Sequence, residues 1–482
     1  MASSLSALAA LAALLGLSLA APAQAGTDPA ACQGLGAAIA GAHKGVYYAN
    51  DFQYLDGPCL AANDPRDGFT KASDGLKALK LKNGVKVSFG GEYRLRFHDE
   101  NNMASTRLNG EDNSFVLSRL RLYTNIEAGE HVRVYAEALD ARSFGENRPP
   151  RPIEANDLDL LNGFVELRGK LAGGKVFARA GRQELLFGAQ RLISPLDWGN
   201  TRRAFDGFSG GYAKKDWRVN AFGVWPRIVK HHQLDATDDS LRFSGIYASK
   251  GDPKKWVVDV YALNLREKNG AVFNYDFWTL GARAAGKQGP VGWEVEGGVQ
   301  TGDHDQEGRQ RSAFLSAVAS YGFAKSPWSP SLQLGYDWAK GDKDATDGKR
   351  QTFNQLFPLA HAYLGFMDLV ARQNIQALHI RAAAKPLPKL GLQVTGFNFR
   401  LDSRTDALYN AGGGAIRRDV TGAAGKNVGK ELDITASYAL TPRVTVMGGV
   451  SRFWGGRFTD TTNPAGVSGN ANFAYTQLSV RF

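Results

Sequence analysis

Ala471-Asn472-Phe473-Ala474-Tyr475-Thr476-Gln477-Leu478-Ser479-Val480-Arg481-Phe482 decides how this chain is read. Ala474, Thr476, Leu478, Val480 and Phe482 fall on one side of an extended backbone; Tyr475, Gln477, Ser479 and Arg481 fall on the other. A strand sends successive side chains to opposite faces, so a period of two marks one face in an apolar medium and one in water. The alternation recurs back to about residue 84, so it describes most of the sequence. The expectation is an all-β protein, a transmembrane antiparallel β-barrel.

Composition agrees. The chain has 482 residues, 56 of them Gly, with an aromatic share of 11%, which suits many tight turns and aromatic girdles. A mean hydropathy of -0.30 argues against a helical membrane protein but not against a barrel, because only alternate side chains meet lipid. The one long apolar run, Leu5 to Ala21, leads to Ala23-Gln24-Ala25 and reads as a signal peptide spanning 1–25, although residues 1–25 contain no Lys or Arg. No other stretch approaches the ~20 apolar residues a spanning helix needs. The net charge of +11 and pI near 9.4 would suggest nucleic acid for a cytosolic chain; for an exported one they suggest a polyanion instead. Cys32 and Cys59 are the two cysteines. In an oxidising compartment they are expected to form a disulfide, stabilising their segment by roughly 3–4 kcal/mol on the chain-entropy account; two free thiols are the alternative. Residues 26–83 lack a sustained period and read as a periplasmic N-terminal extension or plug-like segment, with the barrel over 84–482.

Placing apolar residues outward organises the strands. Val85, Val87, Phe89, Tyr93, Leu95 and Phe97 oppose Lys86, Glu92, Arg94 and Arg96. Val116, Leu120, Leu122 and Ile126 oppose Arg119 and Arg121; Val132 and Val134 oppose Arg133, with Glu137 further along; Val165 and Leu167 oppose Glu166 and Arg168. An Arg on the lipid face at mid-membrane costs ~2–4 kcal/mol, so a one-residue slip would be heavily penalised. Continuing the walk gives about eighteen strands, an even number as single-chain barrels require, with alternation broken near Arg182 as a bulge would break it. Short turns at 128–130, 213–216 and 440–442 belong on the periplasmic side, and long loops at 142–157, 340–372 and 402–430 on the extracellular side. Trp217, Trp256 and Trp293 then begin strands at the periplasmic edge, as an aromatic girdle should. Phe482, an aromatic at the end of such a strand, resembles the assembly signal of outer-membrane proteins.

The inward set carries the chemistry. Lys86, Arg94, Arg96, Arg119, Arg121, Arg133, Arg168, Arg218, Arg242, Arg283, Arg381, Arg443 and Arg481 are expected to line an aqueous lumen with Glu92, Glu137, Glu166, Asp259, Glu294, Glu296, Asp337 and Asp433. Cross-strand Arg–carboxylate pairs account for part of this set. The excess of Arg suits planar carboxylates, which it binds through two parallel hydrogen bonds. Interleaved acids keep each site shallow, so a polyanion passes rather than sticks.

Gly181-Arg182-Gln183-Glu184, Trp198-Gly199-Asn200-Thr201-Arg202-Arg203-Ala204-Phe205-Asp206-Gly207 and Phe353-Asn354-Gln355-Leu356-Phe357-Pro358, running on to His361-Ala362-Tyr363-Leu364-Gly365, resemble the alginate export porin family. The resemblance spans roughly 84–482. It implies an eighteen-stranded barrel with an arginine-rich constriction through which a polyuronate leaves the cell. Arg202, Arg203 and Asp206 are read either as a ligand contact or as a salt-bridged loop anchor.

Asp342, Asp344 and Asp347, followed by Gly348, are a weak candidate for Ca²⁺ in an extracellular loop. Their spacing departs from an EF-hand, and an ordinary acidic turn is the simpler reading; no other cofactor is expected. H-E-x-x-H, G-x-S-x-G and Walker A patterns are missing, and His98 or His379 with a serine is the remaining route to a hydrolase. The expectation is a monomeric, non-enzymatic outer-membrane porin exporting an anionic polysaccharide. Its partners would be outer-membrane lipid and periplasmic polysaccharide-export components, not nucleic acid. The alternatives are an uptake porin for small organic acids or sugars, and a surface anchor whose loops bind a partner.

Overall fold

The computed structural model describes residues 34–482 except 58, 63, 253 and 269–273. The expected signal peptide and Cys32 lie outside the described residues; Cys59 is disulfide-bonded. Eighteen long strands run antiparallel. They are β1 (Val85–Asn101), β2 (Asn113–Ala128), β3 (Val132–Phe144), β4 (Asn156–Leu171), β5 (Gly174–Gln183) and β6 (Phe205–Lys214). Next come β7 (Trp217–Ile228), β8 (Leu241–Asp252), β9 (Trp256–Glu267), β10 (Tyr275–Gln288), β11 (Val291–His304) and β12 (Gly308–Gly322). The last six are β13 (Ser331–Ala339), β14 (Ile375–Leu387), β15 (Leu390–Leu401), β16 (Asn427–Ala439), β17 (Val444–Gly455) and β18 (Ala471–Arg481). Each pairs with the next, and β18 pairs with β1 from Arg481↔Glu92 to Asn472↔Asn101, closing the cylinder.

The outward face is apolar and open to its surroundings. Val260, Leu280, Val299, Ile380 and Val450 are all about half exposed, which only a lipid setting makes favourable. Val260→Arg in the middle of β9 is therefore expected to cost about 2–4 kcal/mol in equilibrium folding into lipid vesicles. A loss below half a kcal/mol would contradict a lipid-facing wall.

The seam uses both ends of the described chain. β18 stops opposite Glu92, leaving the first residues of β1 without that neighbour. Phe482 exchanges two hydrogen bonds with Gly91, at 2.7 and 3.0 Å. Below them Leu79 and Lys80 pair with Val87 and Lys86, while Phe89 N donates to Leu76 O and Leu81 N to Val85 O. A sheet edge left bare in a membrane would expose unsatisfied backbone groups; residues 76–81 cover it.

Several expectations need correction. Arg242 is exposed and paired across the sheet with Arg266, because Phe243 is the residue that turns inward at the top of β8. Arg443 is not in a strand; it sits in the turn before β17. The irregularity expected near Arg182 lies in the neighbouring strand, where the β3–β4 register shifts between Glu137 and Ala138. Most importantly, the most buried of the inward arginines do not line open water. Arg94, Arg96, Arg119, Arg121 and Arg443 are at most 3% exposed. Three segments fill the bore around them: residues 34–74, the loop 184–204 and the loop 340–374.

Candidate functional site: a filled, arginine-rich bore

Both long loops fold inward because they are too apolar to stay in water. Leu185, Leu192, Ile193, Phe353, Leu364, Met367, Leu369 and Val370 join strand residues such as Phe205, Phe243, Phe277 and Phe314 in one buried cluster inside the outer half of the barrel. The loops also hydrogen-bond to each other: Ser194 N to Phe357 O, Phe357 N to Leu192 O and Leu359 N to Gln190 O, each at 2.9 Å. Gly365, at φ 99°, lets the second loop turn against Glu431, where a side chain would collide with the carboxylate. Met367 N and Phe366 N then donate to Glu431 and Asp433 at 3.1 and 3.2 Å.

The arginines fall into two groups. One is ion-paired: Arg119 with Glu92 (Nε–Oε1 3.0 Å) and Asp197 (2.9 Å), Arg121 with Glu137 (2.6 Å), Arg168 with Glu166 and Glu127 (2.6 and 2.7 Å), and Arg283 with Asp259 and Glu294 (2.8 and 2.9 Å). The other group is held mainly by neutral oxygens. Arg94 donates to the carbonyls of Asp197 and Gly199 at 2.7 and 3.1 Å. Arg96 donates to Trp198 O at 2.9 Å and lies 3.8 Å over that indole. Arg133 reaches Tyr48 O at 2.7 Å, and Arg381 reaches Ala362 O at 3.3 Å.

Arg202, Arg203 and Asp206 do not form one site. Arg202 pairs with Glu184 and Asp197 inside the bore. Arg203 donates to Ser194 O and Pro358 O at 3.2 and 3.3 Å, bridging the two loops. Asp206 lies across the wall, paired with Arg182 at 2.7 Å. His98 packs among Phe115, Trp198 and Phe473; His379 lies beside Asp337 and Gln333. The carboxylates of Asp342, Asp344 and Asp347 accept backbone N–H groups within their own turn. Among the described residues, the only group of three side chains close enough to share a metal ion is elsewhere, Asp157, His231 and His232 on the outer rim.

Open space remains on both sides of the filling. On the side of the short turns, a cavity of about 770 Å³ is lined by Arg168, Lys170, Lys175, Arg179 and Arg218 against Glu130 and Glu166. A neighbouring cavity of about 420 Å³ shares Arg218 and is bounded by Gly188 of the inward loop, with Asp259, Arg283 and Glu294 on its wall. On the outer side, about 690 Å³ lies over Trp198 and His361, with Arg96, Arg107, Arg148 and Arg151 around it.

The alginate export family is matched over residues 85–472. The chain belongs to the alginate export family. No curated protein matches it. Among solved structures, this family member is similar to Pseudomonas aeruginosa OccD3 (OpdP), with TM-score 0.55 and 12% identity over 84% of this chain and 95% of that one. It is also similar to P. aeruginosa OccK8 (OprE), with TM-score 0.53 and 13% identity over 82% and 98%. P. aeruginosa OpdK, solved with vanillate, gives TM-score 0.53 and 12% identity over 82% and 98%. At such identities the likeness is one of fold. The family member is an outer-membrane β-barrel porin, and its fold and family are those of a transport channel.

Reading strand parity could not find the residues this porin uses to hold its interior. Arg191 of the first loop pairs with Glu294 and Glu296 at 2.5 and 3.0 Å. Arg372 of the second pairs with Asp337 at 2.6 Å, and Asp197 enters the cluster of Arg94, Arg119 and Arg202. The density of apolar residues in 353–370 was the available signal, since a solvated extracellular loop would not carry it.

Residues 34–74 enter this porin from the short-turn side. Tyr47 meets Tyr123 edge-on and donates to Glu92 at 2.8 Å; Tyr48 meets Tyr135 and Phe164 in the same way. His43 Nδ1 lies 3.0 Å from Arg443 Nη1, so it accepts and the ring is neutral. Burial, then the Arg443 guanidinium, push His43 down to about 2, with Arg481 and Lys77 adding to the effect and Glu92 opposing it. A group neutral when docked but titrating near 6.5 when free makes docking weaker as pH falls below 6.5. At pH 5 the loss is on the order of 1–2 kcal/mol. Hydrogen exchange over residues 39–52, corrected for the intrinsic rate, should lose protection between pH 7 and pH 5, and His43→Gln should abolish that dependence.

Proposed function

We propose that this porin exports an anionic polysaccharide, an alginate-like polyuronate, along its inward arginines. The observation that carries the reading is the second group of guanidinium groups. Arg94, Arg96, Arg133 and Arg381 donate to neutral carbonyl oxygens, and Arg133 also lies 3.8 Å from Glu166. A carbonyl carries no net charge, whereas a uronate carboxylate adds ion–ion attraction and can accept two parallel bonds from one guanidinium, so it is the better partner at each. The basic cavity around Arg168, Arg179 and Arg218 gathers the polymer from the periplasmic side. Asp259 and Glu294, standing beside Arg283 in the next cavity, keep successive contacts weak enough for release.

Such a pathway conducts only when the inward loops yield, so the filled bore is its resting state. In planar bilayers the pore should prefer anions and be blocked by oligouronates. Arg168→Glu combined with Arg179→Glu should remove most of that preference. Cation preference, or indifference to added oligouronate, would overturn the reading, and free passage of neutral sugars in liposome swelling would replace it with an uptake porin.

A further inference from the structure

Residues 34–74 contact four guanidinium groups of the bore, Arg133 of the proposed path among them. Arg133 Nη2 donates to Tyr48 O at 2.7 Å, Arg202 Nη2 to Gly45 O at 2.7 Å and Arg443 Nη1 to Ile39 O at 2.9 Å. Arg121 lies 3.8 Å over the Tyr47 ring. Arg443 also meets Asp74 Oδ1 at 2.9 Å and Tyr54 Oη at 2.6 Å. Of these contacts, Asp74 alone supplies a carboxylate from the segment; the rest are carbonyls, a hydroxyl and an aromatic face.

The segment is also lightly built. Its helices are Leu35–Ala40, Cys59–Ala62 and Gly68–Asp74, none longer than two turns, with short 3₁₀ turns at Tyr47–Ala49 and Gln53–Asp56, and the part inside the bore adds no strand to the wall. Its downstream end is different: residues 76–81 hydrogen-bond along the edge of β1. A firmly tethered end and a body that seats a few buried side chains, Leu35, Ile39, Val46 and Tyr47, without joining the wall describe an element that can leave without detaching.

We propose that residues 34–74 are a displaceable plug masking a latent carboxylate-binding site formed by Arg133 and Arg443, with Arg121 and Arg202, which keep their pairs with Glu137, Glu184 and Asp197, beside them. Plug and anionic polymer compete for the same guanidinium groups, so arrival of the polymer on the periplasmic side unseats the plug. Departure of the plug removes the carboxylate that Arg443 contacts and the carbonyls that Arg133 and Arg202 contact. The freed groups extend the row of arginines from Arg94 and Arg119 toward the periplasmic mouth. This rests on the polyuronate reading above.

The test uses the full chain in lipid nanodiscs and a hexauronate, with uncharged maltohexaose as control. Hexauronate should speed hydrogen exchange of residues 39–54 by about tenfold or more, and maltohexaose should leave it unchanged. Asp74→Asn, which removes the plug's carboxylate, should tighten apparent hexauronate binding by about tenfold and raise the fraction of time the channel conducts. Hexauronate that binds while residues 39–54 stay fully protected would overturn the plug competition and leave the export reading standing. Absence of hexauronate binding to both proteins would overturn the export reading and the competition with it. The wild-type exchange measurement decides the matter even if Asp74→Asn fails to fold.

Discussion

Replacing Arg119 with alanine is expected to remove about 3–5 kcal/mol of stability and to let the loop 184–204 leave the bore. Arg119 is fully buried. Its guanidinium joins Glu92 of β1 to Asp197 of the loop, and it also donates to the loop carbonyls of Asp197 and Gly199 at 3.3 and 3.2 Å. Without it, Glu92, itself 3% exposed, keeps Tyr47 and a 3.6 Å approach from Arg481. An under-compensated buried charge is the costly part; the lost attraction is the smaller share. Arg119→Lys keeps the charge but loses the planar fork that reaches carboxylate and carbonyls together, so it should fall between. Denaturant titration in vesicles reports the stability, and bilayer recording reports the loop as longer or larger conducting events. Wild-type stability and conductance in Arg119→Ala would show that this guanidinium does not hold the loop.

Arg372→Met should have an effect of similar size, about 3–5 kcal/mol, through the other loop. Arg372 and Asp337 meet at 2.6 Å with both side chains 1% exposed. His379 also lies beside Asp337, at 3.8 Å. Deleting the arginine strands the carboxylate, whereas changing both partners, Arg372→Met with Asp337→Asn, removes the stranded charge and should recover most of the loss. Such recovery is common for buried ion pairs replaced whole. The two variants should differ functionally in the opposite sense: the single one conducts more because loop 340–374 is loosened, and the double one stays closed. Equal destabilisation by the single and double variants would mean that packing, not the buried charge, anchors this loop.

The wall was legible in the sequence because lipid enforces it. A slip of one residue in β2 would put Arg119 and Arg121 into hydrocarbon, so the alternation there is nearly free of error. The reading fails where that pressure ends. At the outer rim of β8, Leu241 and Phe243 flank Arg242 and both faces are apolar or wet, so parity has nothing to choose between. At the periplasmic rim, Arg443 follows Thr441-Pro442 and belongs to a turn, where alternation has no meaning. The filling of the bore was hidden for a different reason. Arg191, Asp197 and Arg372 lie in loops, and a loop's contacts across the barrel leave no period in the chain. The motif Phe353 to Pro358 was visible as a family likeness, but its physical role, pinning one loop to Leu192 and Ser194 of the other, required the third dimension.

The buried contact between Arg443 and Asp74 joins positions 369 residues apart. Loop closure over such a span must precede its reward, and nearly the whole cylinder has to exist before the partner arrives. The stretch that is made first is therefore seated last. Construction of the wall and completion of its interior are separate events, and this salt bridge belongs to the second.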